Sequence, residues 1–561
     1  MICILHGYLL EGSGSNLWTR AVVRALCRAG ETVHLVCQEP HPEAYHFVAA
    51  AYVHEPGGTV AVLFEREVPT PGRCLLHKPR LGDTLPVYVA DRYEEFARAV
   101  PMVELPDAAI ETYIETNRAV VERVARDQEI TAILANHAVL MSVVAERVAA
   151  TSGLPYAIMP HGSAIEYAVK RDGRFHALAS GAFDKAARIF AVGAEMRRRV
   201  LDTFPALPGL AAKLEDLPLG VDAGAFAPAE RDQRPSRIAA LGEALKPLAR
   251  GKAPEASERL RVALAAAPDP GGLTDLLESG RGYPDKCPDA GLEEKLAAVD
   301  WAGDEILLFV GRLIAAKGLQ SLVAALPPIL EARPRVRLVV VGHGPQREVM
   351  EALLWALERG DGRLVRTIAV QGATLEDAAP EGGAGAPYET LVRFFDRLEA
   401  RGEWARYLET ARRAIRPERA IFTGYLTHRE LKHLLPLAHV ALVPSIVAEA
   451  GPLVFLEAMA AGCFPLGTYF AGTAERIDDA ARVLPPEAAA LMKLSPDPDR
   501  TVADIAEKVP AALALGGVHM EALRRVAVER HDWTQIARRL AETLEGMAQD
   551  AQDRKLSKRI P

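Results

Sequence analysis

The sequence predicts an α/β protein whose parallel sheets are covered on both faces by helices, in more than one domain. Three observations carry this. Short runs of Val, Ile and Leu alternate with helical patterns in both halves of the chain, the pattern of parallel strands joined by crossover helices. Glycine-bearing turns follow several of these runs, where ligands of such sheets collect. At 561 residues the chain is longer than one hydrophobic core sustains.

The totals exclude several classes. An apolar content of 49% with 25% charged residues is that of ordinary globular protein. A net charge of −8 argues against a nucleic-acid binder. Cys3, Cys27, Cys37, Cys74, Cys287 and Cys463 are scattered with no CxxC pair, so neither a zinc site nor a disulfide framework is expected. The opening MICILHGYLLEG lacks a basic region and a long apolar run, and no stretch of about 18 apolar residues follows. A cytoplasmic protein is expected.

Taken in order, ICILHGY is a strand, LLEGSGSN a glycine turn and LWTRAVVRALCRAG a helix closed by Gly30. Such a unit faces a phosphate, with Gly12 and Gly14 allowing close approach of the backbone. The spacing is not G-x-G-x-x-G, so the dinucleotide fingerprint is absent. TVHLVCQ, TVAVLFE, AILANHA, YAIMPHG and RIFAVG are the next strands. His6, His137 and His161 fall at the carboxyl ends of their strands. Three imidazoles at one rim favour a ligand role, strongest for His161; His137 is donor-side, acceptor-side or structural. The arginines of AEMRRRV are a solvated helix face or a contact for an anionic lipid or phosphate. Residues 227–300 and 346–419 exceed ordinary connections, and helices are favoured over long structureless loops. The piece EDAAPEGGAGAP within the second enlargement reads as flexible.

In the second half, EILLFVGRLIAAKGLQSLV is strand, loop and helix, with Arg312 and Lys317 on the loop. Two cations there can neutralise a diphosphate and stabilise developing charge. VRLVVVGHGPQ is a strand and turn with Gly342 and Gly344. The stretch Pro444–Glu475 organises the rest: a strand end, a loop with Glu449, a helix with Glu457, and a second strand. Pro452 marks the start of that helix and Gly462 its stop. Free amides at Gly451 and Leu453, on either side of Pro452, and the positive helix end suit an anion. Glu449 and Glu457 are separated by seven residues. Singly, each reads equally well as a solvated glutamate.

With its flanks, this E-x7-E unit resembles the signature of the retaining, nucleotide-sugar-dependent glycosyltransferases of family 4 (group 1). The resemblance implies the GT-B fold: two Rossmann-like parallel-sheet domains facing a central cleft, here with helical insertions. It places an N-terminal acceptor-side domain at 1–226, completed by a crossover helix at about 531–547. An insertion would occupy 227–300, and a nucleotide-sugar domain 301–530, with a second insertion at about 346–419. Gly311, Arg312 and Lys317, as GR-x4-KG, resemble the family's diphosphate motif. TGYL resembles its base-binding strand exit, with Tyr425 and Leu426 at the base. FAGTAERI resembles its GGxxE turn with Ala471 for the first glycine, and GVD with Phe226 its domain-ending turn, where Asp222 fixes the bend. MPHG resembles its HG motif, so His161 would contact the donor sugar; Ala164 stands where an acidic residue is common, which leaves the role of Glu166 open.

The implied activity is transfer of a sugar from a nucleoside-diphosphate sugar (UDP-, GDP- or ADP-linked) to an acceptor with retention of configuration. His161, Glu449, Arg312 and Lys317 would be catalytic. Gly14 would approach the diphosphate, and Glu457 would bind ribose. Ser15, Asn16, His137 and Glu166 are candidates for acceptor or sugar. No cofactor or metal is required. The partner is a sugar, lipid-linked or small-molecule acceptor, with peripheral membrane contact allowed and no transmembrane segment. A GT-B epimerase or phosphorylase, or a non-catalytic sugar-nucleotide scaffold, is the alternative.

Overall fold

A computed structural model of the chain describes residues 1–88, 96–267, 272–284, 286–375, 388–449 and 451–557. The stretch 376–387, read above as flexible, lies outside them. The chain divides into two compact units, Met1–Gly220 with Arg530–Pro561, and Val221–Glu529.

The first unit contains β1 (Ile2–Leu5), β2 (Thr32–Val36), β3 (Val48–His54), β4 (Val60–Glu65), β5 (Arg73–Pro79), β6 (Thr84–Val87), β7 (Arg98–Pro101), β8 (Ala132–Asn136), β9 (Tyr156–Met159), β10 (Arg188–Ala191) and β11 (Leu214–Asp216). Nine of them form one sheet in the order β11-β10-β9-β8-β1-β2-β5-β3-β4, while β6 and β7 pair separately. β1 is central and wholly buried, so its Ile-Cys-Ile-Leu run needs no polar alternation.

TVAVLFE departs from the parallel expectation. It is the antiparallel edge strand β4, with Val62 and Leu63 exposed. The turn before it explains this: Gly57 and Gly58 both take positive φ, and Glu55 N–H donates to Thr59 O at 2.9 Å. A two-glycine turn of this kind makes a hairpin, not a crossover.

The helix Trp533–Ser557 packs on the first helix, Gly14–Arg28. Trp533 is a packing residue: it is buried over Gly220, where an added Cβ would fall 2.3 Å from the indole. The polar tail is helical through Ser557. The arginine run is mostly spent on local pairs, Arg197 with Asp216 at 2.9 Å and Arg199 with Glu195 at 3.1 Å.

The second unit holds a fully parallel sheet of β12 (Glu305–Val310), β13 (Val336–Val341), β14 (Ala420–Gly424), β15 (Val440–Val443), β16 (Phe464–Thr468) and β17 (Lys493–Leu494). Their order is β14-β13-β12-β15-β16-β17. Asp222 stands in a turn at the start of this unit, its carboxylate accepting from Ala225 N–H at 3.0 Å. Residues 227–300 form helices Arg234–Leu245, Pro254–Ala266, Leu273–Glu278 and Leu292–Ala297. Between β13 and β14 stand Gln346–Arg359, Gly362–Gln371, Glu389–Ala400 and Trp404–Ala414.

The two enlarged segments are joined by a buried ionic network. Lys252 reaches Glu348 at 2.6 Å and Glu351 at 2.9 Å; Arg347 reaches Glu351 and Asp289, each at 2.8 Å. Burial opposes ionisation of Glu351, but Arg347 and Lys252 hold its carboxyl down to about 2. Buried charges persist only when paired in this way.

Candidate functional site

In the second unit every loop singled out in the sequence follows the carboxyl end of a parallel strand, and the loops are hydrogen-bonded to one another. Gly342 N–H donates to Gly424 O, and Leu313 N–H to His343 O. An added Cβ on Gly342 would fall 1.8 Å from Gly311 O, which is why the G-x-G turn needs its glycine. Gly318, at φ +75, passes Pro444 O at a separation an added Cβ would close to 1.9 Å. Beside it, Ile446 N–H donates to Ala316 O at 2.9 Å.

That contact brings the GR-x4-KG loop to the E-x7-E loop. Lys317 Nζ pairs with Glu449 Oε1, and Ser445 Oγ donates to the same oxygen at 2.6 Å. The Glu449 carbonyl accepts from Gly472 N–H at 2.9 Å, tying the loop to the next turn. Arg312 is exposed on the same loop as Lys317, and Gly311 precedes it. Pro452 is the cap, and the helix runs Leu453–Ala460, one residue later than the sequence suggests. Gly451, Pro452 and Leu453 are partly exposed at its positive end. Gly462 takes the left-handed conformation that stops it.

Glu457 is 5% exposed and bonds His428 Nε2 at 2.7 Å. His428 and Ser445 are the two polar partners that sequence reasoning missed. His428 opens the helix after TGYL, behind a capping box of Thr427 and Glu430; that box was legible, the pairing across 29 residues was not. Leu426 is buried, and Tyr425 N–H is committed to Cys287 O at 2.9 Å. Residues Cys287–Asp289 thus pair with the exit of β14, with Asp289 N–H donating to Thr423 O. Ala471 adopts φ +48, a conformation that favours glycine.

The first unit gathers the three rim histidines into one stack. The rings of His6 and His137 lie 5.6 Å apart, those of His137 and His161 4.8 Å apart, and Trp18 meets His161 edge-on at 5.6 Å. Tyr8 and Tyr88 also border His137, at 5.3 and 4.9 Å. His6 Nε2 faces two acceptors, Leu9 O at 2.9 Å and Asn16 Oδ1 at 3.1 Å, so that nitrogen carries the proton. His137 has a positive φ of 73 and neither ring nitrogen bonded. Burial pushes His6 down to about 4 and His161 to about 3, and lowers His137 well below its ordinary value, with neighbouring imidazoles adding to the latter two. All three are neutral near pH 7.

Asn16 is an internal residue: its amide donates to Glu11 O and its carbonyl serves His6. Gly14 begins the first helix with nothing within 4 Å of an added Cβ, and Ser15 Oγ sits 3.0 Å from Ser13 Oγ. Glu166 pairs with Lys170 at 2.7 Å. Among the described residues no group of three His, Cys, Asp or Glu could hold a metal ion. The Asp497-Pro498-Asp499 triplet is a turn in which Asp497 Oδ1 accepts from Asp499 N–H at 3.0 Å. No helix among the described residues is long and apolar enough to cross a membrane.

Residues 293–363 and 401–506 match the family described as "Glycosyl transferases group 1". An uncharacterised glycosyltransferase of Methanocaldococcus jannaschii is 27% identical over 159 residues, which is 28% of this chain and 26% of that protein. The alignment therefore spans about a quarter of that relative. HepE of Anabaena, crystallised with UDP, superposes with a TM-score of 0.51 at 13% identity, covering 97% of this chain and 99% of the other. A glycosyltransferase of Rickettsia africae gives 0.52 at 11% identity, with 97% and 98% covered. Sucrose-phosphate synthase of Thermosynechococcus elongatus gives 0.50 at 14%, with 97% and 98% covered.

The fold is GT-B. Within it, the matched stretches contain β12 to β16 and the loops that follow them, where Arg312, Lys317, Glu449 and Glu457 stand.

Proposed function

We propose that this GT-B protein is a retaining glycosyltransferase of the cytoplasm, moving a hexose from a nucleoside-diphosphate sugar to a sugar, lipid-linked or small-molecule acceptor. The observation that carries this is the joined pair of loops that sets Lys317 and Ser445 on Glu449 beside the start of the helix Leu453–Ala460. Arg312, Lys317 and the amides of Gly451 and Leu453 neutralise the diphosphate as it leaves. Glu449 accepts from sugar hydroxyls, and Glu457, oriented by His428, from the ribose. Tyr425 and Leu426 lie at the base. His161, kept neutral, serves the sugar as a hydrogen-bonding group and not as a charge. Departure and attack occur on one face of the sugar, with the leaving phosphate taking the acceptor proton; positioning supplies much of the rate.

UDP-glucose is the first donor to assay, since HepE is described with UDP and with UDP-glucose. A panel of UDP-, GDP- and ADP-sugars is incubated with mixed acceptors, and the released nucleotide is read by mass spectrometry. One nucleoside diphosphate should be released in step with a glycosylated product of unchanged anomeric configuration by NMR. Donor binding with no turnover across the panel would sink the reading.

A further inference from the structure

The helix Pro254–Ala266, the helix Gln346–Arg359 and the end of Trp404–Ala414 enclose a trough of about 510 Å³. Arg261, Arg359, Arg412 and Arg416 line it against only two acids, Glu258 and Glu358. Among the described residues Arg261, Arg359 and Arg416 form no ion pair, and Arg412 has only a long contact with Glu409, at 3.3 Å. Arg359 instead lies over the ring of Trp355, 5.2 Å from its centroid and so within the about 6 Å of a cation–π contact. Arg416, just past the helix Trp404–Ala414, donates with one nitrogen to Arg412 O and Ile415 O, leaving the rest of its fork of donors uncommitted.

A second cavity of about 490 Å³ shares Glu258, Arg261, Glu358 and Arg416 with the first, so the two adjoin. Its walls are apolar where Leu260, Leu264, Leu354, Ile415, Ile421 and Phe422 contribute. Its charged groups are largely answered: Arg337 by Asp304, Lys295 by Asp289, and Arg347 by Asp289 and Glu351. The groove is therefore cationic at one end and apolar at the other. It also lies away from the loop rim. Arg337 follows the first residue of β13, and Arg416–Ala420 lead into β14, whereas the candidate donor loops follow the opposite ends of those strands.

We infer that this groove is a second ligand site, formed by the two enlarged segments together, for an organic phosphate with an apolar body. The phosphate is held by guanidinium groups converging from three helices, whose planar forks match phosphate oxygens. The apolar part lies along Leu264, Ile421 and Phe422. The combined volume is that of an ordinary small-ligand cleft. The inference does not depend on the glycosyltransferase reading, since no residue of the donor loops takes part.

Titration of the full-length protein with inorganic pyrophosphate and with dodecyl phosphate, by calorimetry, tests it. Dodecyl phosphate should bind about tenfold or more tightly than pyrophosphate, and the double variant Arg261→Ala/Arg412→Ala, at a partly exposed and an exposed position, should weaken it about tenfold or more. Leu264→Gln should weaken dodecyl phosphate and leave pyrophosphate unchanged. Flotation with phosphatidic-acid vesicles separates the sources: co-flotation lost in the double variant assigns a lipid headgroup, and calorimetric binding without flotation assigns a soluble phosphate ester. Binding of neither probe at 1 mM or so, or equal binding by the double variant with an unchanged melting curve, overturns the site.

Discussion

Acidification should unfold the first unit before the second. The perturbation is a fall in pH from 7.5 to 5.5. Besides the stack of His6, His137 and His161, this unit buries a second set: His77 stands between His34 and His54, bonded to them at 3.1 and 3.0 Å. Burial lowers His34 and His54 to about 4, and lowers His77 well below its ordinary value, with the two neighbouring rings adding to it. The sign follows from proton counts. Below about pH 6.5 the unfolded chain protonates these six imidazoles while the folded chain does not, so stability is full above that pH and falls as pH falls. At pH 5.5 the loss is set almost wholly by the unfolded value, about 1.4 kcal/mol for each histidine. Six together give about 8 kcal/mol, comparable with the whole stability of an ordinary domain, about 5–15 kcal/mol. Urea unfolding followed by hydrogen exchange, read separately on peptides of each unit, measures it. His54→Gln should flatten the pH slope by about one proton. A first unit equally stable at pH 7.5 and 5.5 would refute the reasoning, because it would mean that these imidazoles titrate alike folded and unfolded.

Three further outcomes are expected. Arg312→Ala and Lys317→Ala should each lower kcat/KM by about 2–4 kcal/mol of transition-state stabilisation, by analogy with loss of an oxyanion donor; steady-state kinetics with unchanged values in both would remove the diphosphate assignment. Ala471→Gly should stabilise the second unit by up to about 1 kcal/mol by relieving a left-handed alanine at φ +48, seen as a raised urea midpoint; the greater freedom of glycine in the unfolded chain offsets part of the gain. Lys252→Met should destabilise the same unit by about 3–5 kcal/mol, since it leaves Glu348 and Glu351 short of a buried cation, and the loss should be smaller in a Lys252→Met/Glu348→Met pair.

The chain's linear order determined a good deal. Strand endings, glycine turns and the E-x7-E spacing are local, and backbone sterics act over a few residues, so the loops after β12, β13 and β15 and the helix carrying Glu457 were legible. The two-glycine hairpin before β4 was equally local and was passed over in favour of an all-parallel sheet. β3 and β5 were missed for another reason: VAAAYVH is rich in alanine and RCLLHKP carries Lys and Pro, and only pairing with each other and with β2 makes them strands.

What tertiary structure alone decided is which distant polar groups share a desolvated space. Lys317 with Glu449, His428 with Glu457, and Lys252 with Glu348 are separated by 132, 29 and 96 residues. The stacking of His6, His137 and His161 likewise arises because β1, β8 and β9 are neighbours in the sheet. Propensity and spacing carry no information about such pairs; burial does, because a charge or ring nitrogen removed from water must find its partner wherever the fold brings one.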